Sequence, residues 1–183
     1  TQEVHALLSA MDIVFQAHRP KLAESFTDAE RRDVLDALGQ SASAYRWQIY
    51  DNGISGEFVA LDRPALVAFL DLALGYIEHT LRANKRADGL YHAYNILNLG
   101  ADTAEVGHLY EMLEGQVAIL SSGLLSSEES LELLQSLRES AMYRADQHSY
   151  MLYPDRDLPG FLRKNRMSEA QVAGSRLIAA LVE

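Results

Sequence analysis

Apolar residues recur at helical spacing through most of the chain. Val4, Leu7, Leu8, Met11, Val14, Phe15 and His18 fall at three- and four-residue steps, predicting a first helix that stops at Pro20. Thr27-Asp28-Ala29-Glu30 has the form of a capping box, with Phe26 placed for a hydrophobic staple. Val34, Leu35, Leu38, Ala42, Tyr45 and Ile49 then share one face of a second helix, which runs up to the turn signal Asn52-Gly53. Asp62 is a good N-cap for a third helix, with Pro64 tolerated in its first turn. Leu66, Val67, Phe69, Leu70, Leu72, Leu74, Tyr76, Ile77 and Leu81 cover most of its circumference, leaving a narrow stripe of Asp71, Gly75, Glu78 and Arg82. A helix this apolar is expected at the centre of the fold, packed on more than one side, with its acids paired to Arg82.

The pattern changes after Asp88-Gly89. Leu90, His92, Tyr94 and Ile96 alternate with Tyr91, Ala93, Asn95 and Leu97, which reads as an extended or hairpin insert near 89–110. Leu109, Met112, Leu113, Gln116, Val117 and Leu120 give a fourth helix, closed by Ser122-Gly123. Ser126-Ser127-Glu128-Glu129 is a second capping box, and Leu131, Leu134, Leu137 and Ala141 are expected to form the inner face of the fifth helix. Residues 144–165 form a long irregular stretch, and Ser168 to Gln171 cap a last helix carrying Val172, Leu177, Ile178, Leu181 and Val182. The expectation is an all-α protein: an antiparallel array of about six helices in a single domain spanning 1–183. Because it starts at Thr1 and ends within an apolar-periodic run, the chain is expected to be a piece of a larger protein.

Composition narrows the classes of function. There are 183 residues, with 16 Lys+Arg against 26 Asp+Glu, a net charge of −10 and no cysteine. A chain of this length has a core large enough to need no covalent staple. Without cysteine there is no disulfide framework, thiol nucleophile or thiolate-ligated metal, and the compartment stays open. The negative charge argues against a nucleic-acid partner. The longest nearly apolar stretch, residues 65–77, contains Asp71 and is shorter than the ~20 residues of a membrane span, so no membrane partner is expected. Gly-rich phosphate loops, dinucleotide fingerprints, His-Glu-x-x-His and Gly-x-Ser-x-Gly are all missing, and no cofactor is implied. Glu105-Val106-Gly107-His108 matches one half of a di-iron pattern that needs two such motifs and two further glutamates. A metal-binding bundle stands as an alternative on that motif alone, and no metal ligand is assigned.

Residues 86–95 are the most site-like segment, with Asp88, Gly89, Tyr91, His92, Tyr94 and Asn95 close together. Tyrosine offers a flat apolar ring with a hydroxyl, and Asn and Asp offer amide and carboxylate partners, a mixture suited to a polyhydroxylated ligand. An aromatic hairpin packed on the bundle explains the same residues without a ligand. Trp47 with Tyr50 and Asp51 at the end of the second helix, and Asp146, His148 and Tyr150 in the long irregular stretch, have similar chemistry. Glycoside chemistry needs two acids at a defined separation, and Asp51, Asp88, Glu111, Glu114 and Asp146 lie in inserts or at helix ends. Glu111 and Glu114 are expected on one helix face.

The runs Asp88-Gly-Leu-Tyr-His-Ala-Tyr-Asn95 and Asp146-Gln-His-Ser-Tyr150, set between helices, resemble parts of all-α six-hairpin toroids, the fold of glycosidases, polysaccharide lyases and carbohydrate phosphorylases. The resemblance implies a half-site or accessory region of a carbohydrate-active protein and, if enzymatic, a glycoside-acting hydrolase or phosphorylase. Asp88 and Asp146 are then the acid/base candidates, with Trp47, Tyr91, His92, Tyr94, Asn95, His148 and Tyr150 as ligand contacts. The alternative is a non-catalytic module that binds the rest of a parent chain or a second copy of itself, marked by a broad apolar patch without convergent acids.

Overall fold

The computed structural model describes residues 1–182. Among them the chain forms eight α-helices and two short antiparallel hairpins. The first half holds three long helices, α1 (Gln2–His18), α2 (Asp28–Asn52) and α3 (Arg63–Ala83), with a 3₁₀ turn (Arg19–Ala23) after α1. Pro20 lies in that turn, as a residue without an N–H must. The Thr27–Glu30 capping box closes both of its hydrogen bonds, and the Asp62 side chain accepts from the Ala65 N–H. Helix α1 packs against both α2 and α3. Phe15 stacks on Phe69 and Tyr76 at 5.8 and 4.8 Å, and the Tyr76 hydroxyl donates to the Phe15 carbonyl.

Next come strands β1 (Asn95–Leu99) and β2 (Ala104–His108), paired from Asn95 with His108 to Leu99 with Ala104. This hairpin lies within the stretch where the alternation placed an insert. Arg31 and Arg32 of α2 hold it by donating to the carbonyls of Ala104 and Gly100. The second half contains α4 (Leu113–Ser121), α5 (Ser127–Glu139), a small hairpin of β3 (Tyr143–Arg144) and β4 (Ser149–Tyr150), and then α6 (Phe161–Lys164), α7 (Glu169–Ala173) and α8 (Arg176–Val182). Its buried centre joins Leu90, Tyr91, Ile119, Leu133, Leu137 and Met142. Gly89 makes the turn into this core at φ 81°, and a side chain there would also strike Ser136.

Several expectations change. The six-helix array gives way to shorter pieces: the last predicted helix breaks at Gly174-Ser175 into α7 and α8, and the irregular stretch holds the β3–β4 hairpin and α6. Helix α5 turns Leu133 and Leu137 inward and leaves Leu131 and Leu134 exposed, because a leucine-rich helix supports more than one apolar stripe. Helix α3 is not central. One face packs on α1 and the 3₁₀ turn, while Val67, Leu70, Leu74 and Ile77 are each about half exposed. Arg82 pairs with Glu129 at 2.9 Å instead of with Asp71 or Glu78. Taken whole, α3 has 21 residues and is long and apolar enough to cross a membrane, by length and composition only. The accessible surface of the chain is 13105 Å², against about 8,800 Å² for a folded chain of this mass.

Candidate functional site

The end of α3, the segment Tyr91 to Asn95 and the start of α4 enclose a cleft of about 480 Å³. That volume falls within the roughly 300–1,000 Å³ typical of small-molecule sites. A second hollow, between α1 and the start of α3, has only about 110 Å³. Leu81, Ala93, Ala118 and Ile119 give the larger cleft an apolar lining, while Thr80, Asn84, Tyr94, Asn95 and Glu114 supply polar groups.

Local bonding fixes these positions. The Asn84 carbonyl accepts from the His92 N–H at 2.9 Å, and Lys85 bridges to Tyr91, which folds the insert back on the end of α3. From the other side comes Gln116 of α4, a fully buried residue. Its Oε1 accepts from the Tyr91 N–H, and its Nε2 donates to the carbonyls of Tyr91 and Met112. The side-chain amide thus serves Tyr91 as a neighbouring strand would. Gly115 lets α4 approach Ala93 so closely that an added Cβ would lie 2.7 Å from the Ala93 Cβ.

The polar groups form a directed chain. Asn84 Nδ2 donates to the Thr80 carbonyl and Asn95 Nδ2 to Asn84 Oδ1, each at 2.8 Å. This leaves Asn95 Oδ1 as the acceptor facing His108 Nδ1 at 2.9 Å, so Nδ1 of His108 carries the proton. The His108 ring stacks on His92 with centroids 3.9 Å apart. Burial pulls His92 below the usual histidine range, and the neighbouring His108 adds to the effect. His92 Nδ1 is buried without a hydrogen-bond partner. Across the cleft the Tyr94 hydroxyl donates to Glu114 at 2.8 Å, and the carboxylate holds the phenol above its ordinary pKa.

Four of the residues singled out in the sequence therefore line one cleft: Tyr91, His92, Tyr94 and Asn95. Tyr91 is nevertheless a core residue, 3% exposed, so its ring packs against the protein while Tyr94 presents the accessible one. The other residues lie elsewhere. Trp47 projects from α2 in an edge contact with Tyr50. Tyr150 packs on Tyr143, and His148, at φ 48°, turns the β3–β4 loop beside the Tyr143 hydroxyl.

The two acid/base candidates share one local device. Arg86 makes a two-pronged pair with Asp88, and Arg144 makes one with Asp146, each arginine reaching two residues ahead to close a turn. The hydrogen bonds from these guanidiniums hold both carboxyls below their ordinary value. A general acid needs the opposite shift. Glu111 lies before the first turn of α4 and joins Arg86 at 3.4 Å, so it does not share a helix face with Glu114. Glu105 and His108 are on β2, where an odd spacing sends them to opposite faces. No cluster of potential metal ligands occurs among the described residues.

Asn84 and Thr80 carried no signal in the sequence beyond their place at the end of an apolar helix. Gln116 did carry one: a lone amide among the apolar positions of α4. Neither any family model nor any curated protein matches the chain.

Proposed function

We propose that this chain is a non-catalytic helical region of a carbohydrate-active protein, and that its cleft between α3, Tyr91–Asn95 and α4 holds a neutral sugar. One observation carries the reading: amide, phenol, hydroxyl and carboxylate groups converge on a cleft with an apolar lining. Sugars present C–H faces and many hydroxyls, so they need both kinds of surface at once. The exposed ring of Tyr94 takes the C–H face. Asn84 and Asn95 accept from or donate to hydroxyls by exchanging the bond they make with each other, and Glu114 accepts from one in place of the Tyr94 hydroxyl. The carboxyls of Asp88, Glu111 and Asp146 are committed to arginines, which supports binding without bond cleavage in this chain.

Calorimetric titration with a panel of neutral mono- and disaccharides tests the reading. Saturable binding of at least one sugar is expected, weakened about tenfold or more by Asn95→Ala, since a lost hydrogen-bond anchor is worth on the order of 1–2 kcal/mol. Binding that is unchanged in Asn95→Ala and Tyr94→Ala would place the ligand elsewhere and end the proposal.

A further inference from the structure

Helix α3 exposes a self-contained apolar seam. Val67, Leu70, Leu74 and Ile77 follow one another at steps of three, four and three residues, each between 48% and 57% exposed. At 100° per residue this seam is centred about 130° around the helix from Phe69 and Tyr76, the side chains that pack on Phe15. Asp71 and Glu78 flank one edge of it, and neither has an ion-pair partner among the described residues. We infer that this seam docks an amphipathic helix of a partner protein whose apolar stripe is edged by lysine or arginine.

Spacing and charge together select that occupant. A three–four–three seam is the one that receives another helix at a shallow crossing angle. The seam is symmetric, so a second copy would meet it antiparallel, Val67 against Ile77 and Leu70 against Leu74. That register sets Asp71 opposite Ala73, two residues from the Asp71 of the second copy and on the same edge of the seam. The cations of α3 do not relieve this approach of like charges, since Arg63 stands at the helix start and Arg82 is bound to Glu129. A lipid surface fits no better. Helices that lie on membranes carry basic residues on the polar side, and the flank here is acidic. A partner with basic flanks satisfies both the seam and its edge. Available surface is not limiting: the chain exposes about 4,300 Å² more than its mass requires, whereas one side of a standard interface takes about 800 Å².

The test uses a fluorescent helical peptide the length of α3, with leucine at seam positions and lysine at the flanks, and a second peptide with glutamate flanks. Fluorescence anisotropy is expected to show saturable binding of the lysine peptide and about tenfold weaker binding of the glutamate one, as two exposed charge pairs changed from attraction to repulsion allow. Asp71→Lys with Glu78→Lys should reverse that preference. Leu70→Asp with Leu74→Asp should abolish binding with the circular dichroism spectrum retained, because both leucines are already half exposed. Equal affinity for the two peptides, or a preference unmoved by the charge reversal, overturns the inference. So does self-association lost in Leu70→Asp, or sedimentation with 3:1 phosphatidylcholine–phosphatidylglycerol vesicles in place of peptide binding.

Discussion

His92 and His108 lie face to face, their ring centroids 3.9 Å apart and their planes within 10° of parallel. Two imidazoles this close disfavour a shared positive charge, so acidification works against the stack. It joins the segment lining the cleft to the end of β2. Because the folded-state value of His92 is lowered, its contribution to stability is complete above the unfolded value of 6.5 and declines as pH falls below it. Replacing His108 with Gln removes the like charge and opens the stack, so the His92 titration should move up, as read by NMR of its ring protons between pH 4 and 8. A downward move would contradict the stated cause.

Gln116 should be among the most sensitive positions in the second half. Gln116→Ala strips partners from the buried N–H and carbonyl of Tyr91. At about 1–3 kcal/mol for each of the two unsatisfied groups, the loss should be roughly 2–6 kcal/mol in urea denaturation. A loss under about 1 kcal/mol would mean that water replaces the amide.

Gly115→Ala sets helix propensity against packing. The gain for Ala over Gly is at most about 1 kcal/mol. The new methyl would lie 2.7 Å from the Ala93 Cβ, and overpacking of this kind costs about 1–3 kcal/mol. The contact is between atoms fixed close to backbone, so the cost should win. The expected outcome is a lower urea midpoint, with sugar binding weakened as the cleft wall shifts.

Acid should loosen the first half through Glu3 and Glu30. Glu3 accepts from the Ser55 N–H and ties the loop after α2 to the start of α1. Glu30 closes the Thr27 capping box and meets Lys21 at 2.6 Å. Hydrogen bonds to the charged form, from Ser55 for Glu3 and from Lys21 for Glu30, lower each from 4.5 to about 2. A depressed folded value stabilises the protein above the unfolded one, and this contribution is lost as pH falls from about 4.5 to 2. Glu3→Gln and Glu30→Gln should therefore flatten the stability profile in that window, as measured by urea unfolding at stepped pH.

Local signals survive folding best. Thr27, Ser126 and Ser168 all form the capping boxes that their spacing announces, because a cap depends on residues three apart and on little else. Alternation after Asp88-Gly89 marked the segment that supplies Tyr94 and Asn95 to the cleft. What failed depended on partners far along the chain. Apolar content alone points α3 to the centre, yet its outer seam meets solvent, and of the α5 leucines expected inward Leu137 is buried while Leu131 and Leu134 are exposed. Asp88 and Asp146 read as free acids because nothing in the sequence tells an arginine two residues away to fold back as a clamp. Gln116 shows the converse: its place on an apolar face was visible, and its role needed the Tyr91 backbone beside it.

The most direct test of the cleft reading is an NMR titration of the labelled protein with neutral sugars, following the amides of Tyr94, Asn95 and Gly115. At least one sugar is expected to shift these three together and saturably, with the amides of Asp146 and His148 unmoved. Shifts centred on the β3–β4 hairpin, or none with any sugar at tens of millimolar while the protein stays folded, would contradict the account.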